Sequence, residues 1–289
     1  MKAVAYYQSL PADHPEALQD IQLADPTPGP HDLLVEVRAI SVNPVDTKIR
    51  LGVKPENGAA KVLGWDATGI VKAVGSEVSL FQPGDRVFYA GAIDRAGANS
   101  ELHLVDERIV GHKPKTLEAT EAAALPLTAI TAWEMLFDRL QVPKNAPENT
   151  TILVIGGAGG VGSITIQLLK QLTNLTIIAT ASRAETQDWV KQLGADYVLD
   201  HRQPLAAQIK QLGLTAPLYV FSTTQTDQHL ADIVELIAPQ GRFGLIDDPE
   251  QLDIKPFKSK SVSVHWEFMF TRSMFQTEDM AKQSELLNE

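Results

Sequence analysis

The sequence predicts a two-part α/β protein, with a barrel-like β domain first and a doubly wound parallel sheet second. Three observations carry this. Short segments broken by Pro and Gly turns fill residues 1–125. From about residue 150, strand-like and helix-like segments alternate. Where the two textures meet, the apolar run Thr151–Ile155 leads into a glycine turn, and Val161, Ile164, Leu168 and Leu172 then recur at helical spacing.

Taken in order, residues 2–7 read as a first strand. Pro11, Pro15, Pro26, Pro28, Gly29 and Pro30 make loops around a short strand near 21–23. Residues 33–39 alternate apolar and charged, as a half-buried strand does. Residues 42–46 read as a turn holding Pro44, 69–74 as a strand, and 83–85 (Pro-Gly-Asp) as a turn into the strand Arg86–Tyr89. Residues 91–100 are small and polar, and 101–105 form a further strand. Residues 118–125 and 128–140 are alanine-rich and helical, interrupted at Pro126. Strands are then expected at 151–155, 176–180, 197–199, 217–221, 242–246 and 261–265, with helices near 160–173, 184–193, 204–212 and 226–238. Residues 266–289 hold an aromatic cluster (Trp266, Phe268, Phe270, Phe275) and then an amphipathic helix at 276–289.

Composition narrows the chemistry. The 289 residues carry 44% hydrophobic and 21% charged side chains, ordinary values for a globular chain with a sizeable core. A net charge of -11 argues against a nucleic-acid surface, which needs clustered Lys and Arg. With no cysteine, disulfides, thiolate catalysis and cysteine-bound zinc are excluded. The first seven residues lack the apolar stretch of a signal peptide and no segment reaches membrane-span length. A cytoplasmic protein without membrane or nucleic-acid partners is expected.

The glycine turn contains Gly157-x-Gly159-x-x-Gly162, the dinucleotide pattern between a strand and a helix. Gly157 is expected to allow the tight turn, Gly159 to let the backbone approach a pyrophosphate, and Gly162 to let helix and strand pack closely. The N–H groups at Gly160, Val161 and Gly162 then open the helix toward the phosphates. An NAD-preferring site places an acid at the end of the second strand. Here Thr180 is followed by Ala181, Ser182 and Arg183, so a hydroxyl and a guanidinium replace the acid. Arg183 suits a 2′-phosphate, and NADPH is the expected cofactor. Alternatively, Ser182 caps the next helix and Arg183 lies in solvent. Ligands of doubly wound sheets bind at the carboxyl ends of strands, so Phe221 and Ser222, with Leu245, Ile246 and Asp247, are expected to frame the nicotinamide half. The apolar sixth strand, with Val262 and Val264, lies at the sheet edge and invites pairing.

Several motifs in one order make the resemblance specific: Ser41-Val42-Asn43-Pro44-Val45-Asp46-Thr47-Lys48, Gly64-Trp65-Asp66-Ala67-Thr68-Gly69, Pro83-Gly84-Asp85-Arg86-Val87, Leu125-Pro126-Leu127-Thr128-Ala129, the glycine turn, and Gly194-Ala195-Asp196. The whole chain resembles a medium-chain dehydrogenase/reductase of the quinone oxidoreductase branch, and within it the zinc-type alcohol dehydrogenase-like proteins. The resemblance implies a GroES-like catalytic domain over 1–125, a Rossmann nucleotide domain over 126–265, and a return to the catalytic domain from 266 that family members carry further than residue 289. It also implies a homodimer through the strand at 261–265.

In zinc-dependent relatives the metal ligands are a Cys in the first motif, a His in the second, and a Cys or Asp before the nucleotide domain. The matching positions here hold Asn43, Trp65 and an apolar residue near Leu127, none of them a zinc ligand. The structural-zinc cysteines have no counterpart, and His14, His31, His103, His112 and His229 read as surface or core histidines. No zinc is expected. Without a Lewis acid, hydride transfer needs an acceptor that is already electrophilic, such as a quinone or enone. The resemblance places the substrate in an inter-domain cleft, where Asn43, Asp46, Trp65 and Tyr89 are the candidate catalytic residues. It brings Thr128 to the nicotinamide and His201 to the 2′-phosphate, where relatives carry Tyr. The expected function is a zinc-independent, NADPH-dependent quinone or enone oxidoreductase. Two rivals are a non-catalytic NADPH-binding sensor or structural protein and a zinc-dependent alcohol dehydrogenase.

Overall fold

The computed structural model describes residues 1–289, the side chain of Glu56 excepted. The chain forms two compact units: Met1–Ile130 with Met269–Glu289, and Thr131–Phe268. These boundaries fall later than the 125/126 and 265/266 steps read from the sequence. At the first, the helix Pro126–Trp133 starts inside the first unit, where Leu127 N–H donates to Asp66 Oδ1 at 3.0 Å.

The first unit carries strands β1 (Lys2–Tyr6), β2 (Gln19–Gln22), β3 (Asp32–Ile40), β4 (Lys61–Val62), β5 (Ala67–Val74), β6 (Arg86–Tyr89), β7 (Leu102–Asp106) and β8 (Val110–His112). They form a small sheet ordered β2-β1-β4 and a five-stranded antiparallel sheet ordered β7-β3-β5-β6-β8. On β3, Leu33 and Val35 are fully buried and pack with Val71, Val87 and Val105, because a strand turns alternate side chains to one face. Two register shifts against β5, at Leu34/Val35 and Val37/Ala39, break the alternation in the second half of β3.

Three local expectations need correction. Residues 42–46 are not a simple turn, since Pro44–Gly52 is a helix with Asn43 as its N-cap. Pro44 at the first helical position costs nothing, because that N–H has no intrahelical partner. Pro126 likewise starts a helix rather than interrupting one, and the expected single helix 128–140 is Pro126–Trp133 followed by a π-helical turn, Glu134–Arg139. The tail holds two short helices, Thr271–Phe275, which lies before the expected span 276–289, and Lys282–Asn288, which covers only the end of that span. The second packs on β8, where Asn288 Oδ1 accepts from His112 N–H at 2.9 Å.

The second unit is a six-stranded parallel sheet: β9 (Thr151–Ile155), β10 (Thr176–Thr180), β11 (Tyr197–Leu199), β12 (Tyr219–Ser222), β13 (Arg242–Leu245) and β14 (Ser263–Trp266). The order β11-β10-β9-β12-β13-β14 is that of a doubly wound Rossmann domain. On β9 Ile152 and Val154 enter one apolar cluster, and Leu153 and Ile155 the other, so the continuous apolar run is buried on both faces. The chain order reverses between β10 and β12 beside β9, which puts the topological switch point at the glycine turn.

Candidate functional site

In the second unit, β9 ends at Ile155 and the helix Gly160–Leu172 begins four residues after Gly156, with Gly159 as its N-cap. The residue that needs glycine's freedom in the turn is Gly156, which the sequence reading passes over. Its φ is +79°, and a Cβ there would meet Thr223 Oγ1 at 2.3 Å. Gly156 N–H donates to Thr180 Oγ1 at 3.0 Å, which ties the turn to the end of β10. Gly157, expected to make the tight turn, instead packs against β10, where a Cβ would lie 2.9 Å from Ala179 Cβ. Gly162 fills its expected role: a Cβ would lie 2.3 Å from Gly156 O. Gly159 and Gly160 are exposed and Val161 half-buried, so the first turn of the helix is open to a phosphate.

At the end of β10, Ser182 is half-buried and Arg183 exposed. Arg183, not Ser182, is the N-cap of the helix Ala184–Leu193, and its N–H donates to Thr186 Oγ1 at 3.2 Å. Among the described residues the Arg183 guanidinium has no ion-pair partner. No sequence motif marks Arg202. It grips Asp200 through Nε and Nη2 at 3.0 and 2.7 Å and donates from Nη2 to Ser182 O at 2.9 Å. That pairing holds the Asp200 carboxyl well below its usual range. His201 stands next to it, half-buried, its ring 6.2 Å from that of His229.

Of the residues expected to frame the nicotinamide, Phe221, Ser222 and Leu245 are 0% exposed. Phe221 and Leu245 are core side chains on opposite faces of the sheet, and Ser222 Oγ is bonded to Thr226 Oγ1 at 2.8 Å. They shape the strand ends without offering side-chain surface. Ile246 and Asp247 are half-buried, but Asp247 is engaged: Oδ2 accepts from Thr226 N–H at 2.8 Å at the start of the helix Thr226–Leu236.

In the first unit, three of the motifs converge. Asn43 N–H donates to Asp46 Oδ2 at 2.8 Å, Gly64 N–H to Asp46 Oδ1 at 3.0 Å, and Asn43 Nδ2 to Asp66 Oδ2 at 2.9 Å. Asn43, Asp46 and Asp66 are 8%, 6% and 1% exposed. Burial pushes the Asp66 carboxyl up to about 8, with Asp46 adding in the same direction and the two donors opposing it. Burial likewise raises Asp46. Thr128 is half-buried and gives its hydroxyl proton to Leu125 O at 3.0 Å.

Trp65 and Tyr89 need correction as surface-lining candidates. They are 1% and 0% exposed and belong to the interior of the first unit. Trp65 Nε1–H donates to Ala92 O at 3.1 Å. His103 Nε2 lies 2.9 Å from Ala96 O, an acceptor only, so Nε2 carries the proton and Nδ1 accepts from Tyr89 O–H at 3.1 Å. Burial drives His103 down to about 4, so this ring is neutral. The two aromatic side chains have buried apolar bodies with satisfied polar tips.

Zinc requires three or four convergent His, Cys, Asp or Glu. Among the described residues no group of three such side chains is placed to hold a metal ion. At the motif positions, both carboxylate oxygens of Asp46 and of Asp66 accept N–H hydrogen bonds, and Asn43 commits its Nδ2 to Asp66. The residues present do not fit a zinc site there.

Residues 160–287 match the zinc-binding dehydrogenase family and 29–115 the alcohol dehydrogenase GroES-like domain. A zinc-type alcohol dehydrogenase-like protein of Staphylococcus aureus is 42% identical over 100% of this chain and 86% of its own length. A crystal structure from Rhizobium etli CFN 42, provisionally assigned as a zinc-dependent alcohol dehydrogenase, is 61% identical. It superposes with a TM-score of 0.96 over 100% of this chain and 84% of that one. A mycobacterial protein solved in complex with NADPH is 27% identical, with a TM-score of 0.80 over 99% of this chain and 87% of that one. Among the described residues no helix is long and apolar enough to cross a membrane. With a GroES-like first unit, a Rossmann second unit and relatives matched along its whole length, the chain belongs to the zinc-type alcohol dehydrogenase-like proteins of the medium-chain dehydrogenase/reductase superfamily.

Proposed function

We propose that the chain is a zinc-independent, NADPH-dependent oxidoreductase that reduces quinones or other conjugated carbonyls by direct hydride transfer. The observation that carries this reading is the end of β10, where Ser182 and Arg183, the latter without an ion-pair partner among the described residues, stand in place of the acid that would bind a ribose 2′-hydroxyl. A forked guanidinium matches a 2′-phosphate, and an acid would repel it. The NADPH complex of the mycobacterial relative supports the same cofactor. NADPH supplies the hydride, while the chain cradles the pyrophosphate at Gly159–Val161, pairs the 2′-phosphate at Arg183 with His201 beside it, and orients the reactants. Asn43 serves as the hydrogen-bonding group toward an acceptor oxygen or the nicotinamide ribose.

The donor set at 43–66 supports a metal-free acceptor chemistry. A conjugated carbonyl delocalises the arriving charge and needs no Lewis acid. The exposed end of β14, with Trp266 53% and Phe268 47% exposed, supports pairing of two copies through that strand in a cytoplasmic homodimer. The test follows NADPH absorbance with a panel of quinones and enones, alongside metal analysis of the purified chain. Turnover with no more than trace zinc is expected. About one tightly bound zinc per chain refutes the zinc-free reading, a possibility the relatives' names favour. NADPH binding without turnover of any acceptor leaves a non-catalytic sensor.

A further inference from the structure

Three separate stretches of the first unit meet at one residue that the sequence reading leaves without a role. Asp66 is 1% exposed, and among the described residues its two side-chain oxygens have one strong partner each. Oδ2 accepts from the Asn43 carboxamide at 2.9 Å, and Oδ1 from the Leu127 N–H at 3.0 Å, in the first turn of the helix that carries Thr128. Burying a carboxyl is expensive, and well-packed apolar residues usually hold a fold as firmly or more so. Such a group is common where geometry matters more than stability.

What the two bonds hold is specific. Asn43 is gripped at both ends, its main-chain N–H by Asp46 Oδ2 and its side chain by Asp66 Oδ2. Asp46 in turn is fixed by the Gly64 N–H. The bond to Asp46 belongs to the capping box of the helix Pro44–Gly52, whereas the bond from the Asn43 carboxamide to Asp66 lies outside that box and the cap does not need it. The Asp66 bond fixes the direction of the Asn43 carboxamide, which is 8% exposed against 1% for Asp66 itself. We propose that Asp66 is a positioning residue for hydride transfer, locking the Asn43 carboxamide and the start of the helix Pro126–Trp133 into one fixed arrangement. This rests on the reading of Asn43 as a substrate- or cofactor-facing group. A preorganised amide dipole acts without reorganising as charge moves onto the acceptor, and misplacing such a group by about 1 Å costs up to about a hundredfold in rate.

The test is a double-mutant cycle on NADPH oxidation with a quinone acceptor, using Asp66→Asn, Asn43→Ala and the two together. Asp66→Asn sets an amide N–H against one of the two donors to Asp66, so it is expected to lower the melting temperature by several degrees while the chain stays folded, to leave the NADPH dissociation constant near wild type, and to lower kcat per folded molecule by about tenfold to a hundredfold. In the Asn43→Ala background it is expected to have no further effect. Effects that multiply, or a loss of kcat that only follows the folded fraction, overturn the proposal. Proton exchange of the Asn43 side-chain amide, assigned by NMR against Asn43→Ala, gives a readout that needs no turnover. Exchange is expected to be slow in the wild type and fast in Asp66→Asn. A wild-type amide that exchanges as fast as that of the exposed Asn145 overturns the proposal even if the variant does not fold. A wild-type chain that binds NADPH, holds Asn43 rigidly and reduces no acceptor refutes the functional reading and not the restraint.

Discussion

Replacing Glu267 by Gln should make the chain more stable above neutral pH. Glu267 follows β14, is 3% exposed, and lies against Glu134 in the π-helical turn Glu134–Arg139, itself 0% exposed. Arg139 Nε reaches Glu267 Oε2 at 2.7 Å. Burial, and then the neighbouring Glu134 carboxyl, push Glu267 up to about 8 against an ordinary value of 4.5, with Arg139 only partly opposing. The folded chain therefore holds a proton that the unfolded chain releases. The resulting stability is complete below about pH 4.5 and is lost as pH rises through about 8. At about 1.4 kcal/mol per pKa unit, the span is worth up to about 5 kcal/mol, a large part of a typical domain's total. Gln keeps the shape and cannot ionise. Urea unfolding from pH 5 to 9 should show wild-type stability falling with pH relative to Glu267→Gln, by several kcal/mol between the ends. Asp66 titrates in the same direction in both proteins and cancels in the difference. Parallel curves for the two proteins would refute the argument that Glu267 holds a proton in the folded chain that the unfolded chain releases.

The remaining predictions concern the site. Arg183→Ala should weaken NADPH binding by tenfold or more and leave NADH binding nearly unchanged, read by fluorescence titration, and equal effects on both remove the phosphate argument. Gly162→Ala should cost about 1–3 kcal/mol and reduce NADPH affinity, because its Cβ would lie 2.3 Å from Gly156 O on the turn itself. Tyr89→Phe should destabilise by about 1–3 kcal/mol, by leaving His103 Nδ1 buried without its donor, yet keep kcat per folded molecule. A falsifying result there would be a kcat loss with stability intact, which would return Tyr89 to the substrate.

The second unit was the more legible half. Its strands Thr151–Ile155, Thr176–Thr180 and Tyr197–Leu199 coincide with the expected ones; the first two are apolar because they are buried on both faces, and the edge strand Tyr197–Leu199 is bounded by turn residues. The glycine turn was legible as a unit, but its division of labour was not. Only the dihedral of Gly156 and the approach of Thr223 reveal which glycine makes the turn. Helical periodicity in 128–140 was legible too, but the change to a π turn at Glu134 depends on hydrogen bonds that the pattern does not contain. For the candidate site, residue type was a poor guide to exposure. Trp65 and Tyr89 are as suited to stacking on a ligand as to filling a core, and only their neighbours decide.

The sequence by itself determined the phosphate turn, the missing acid at the end of β10 and the lack of a metal-ligand set, because each is a matter of which atoms a short segment offers. Tertiary structure alone decided that Arg202 is committed to Asp200 while Arg183 has no ion-pair partner among the described residues, that Glu134 and Glu267 share a buried site, and that Asp66 holds Asn43. Those outcomes depend on side chains far apart in the chain meeting where water is excluded, and there a charge takes its energy from its partners rather than from its own chemistry.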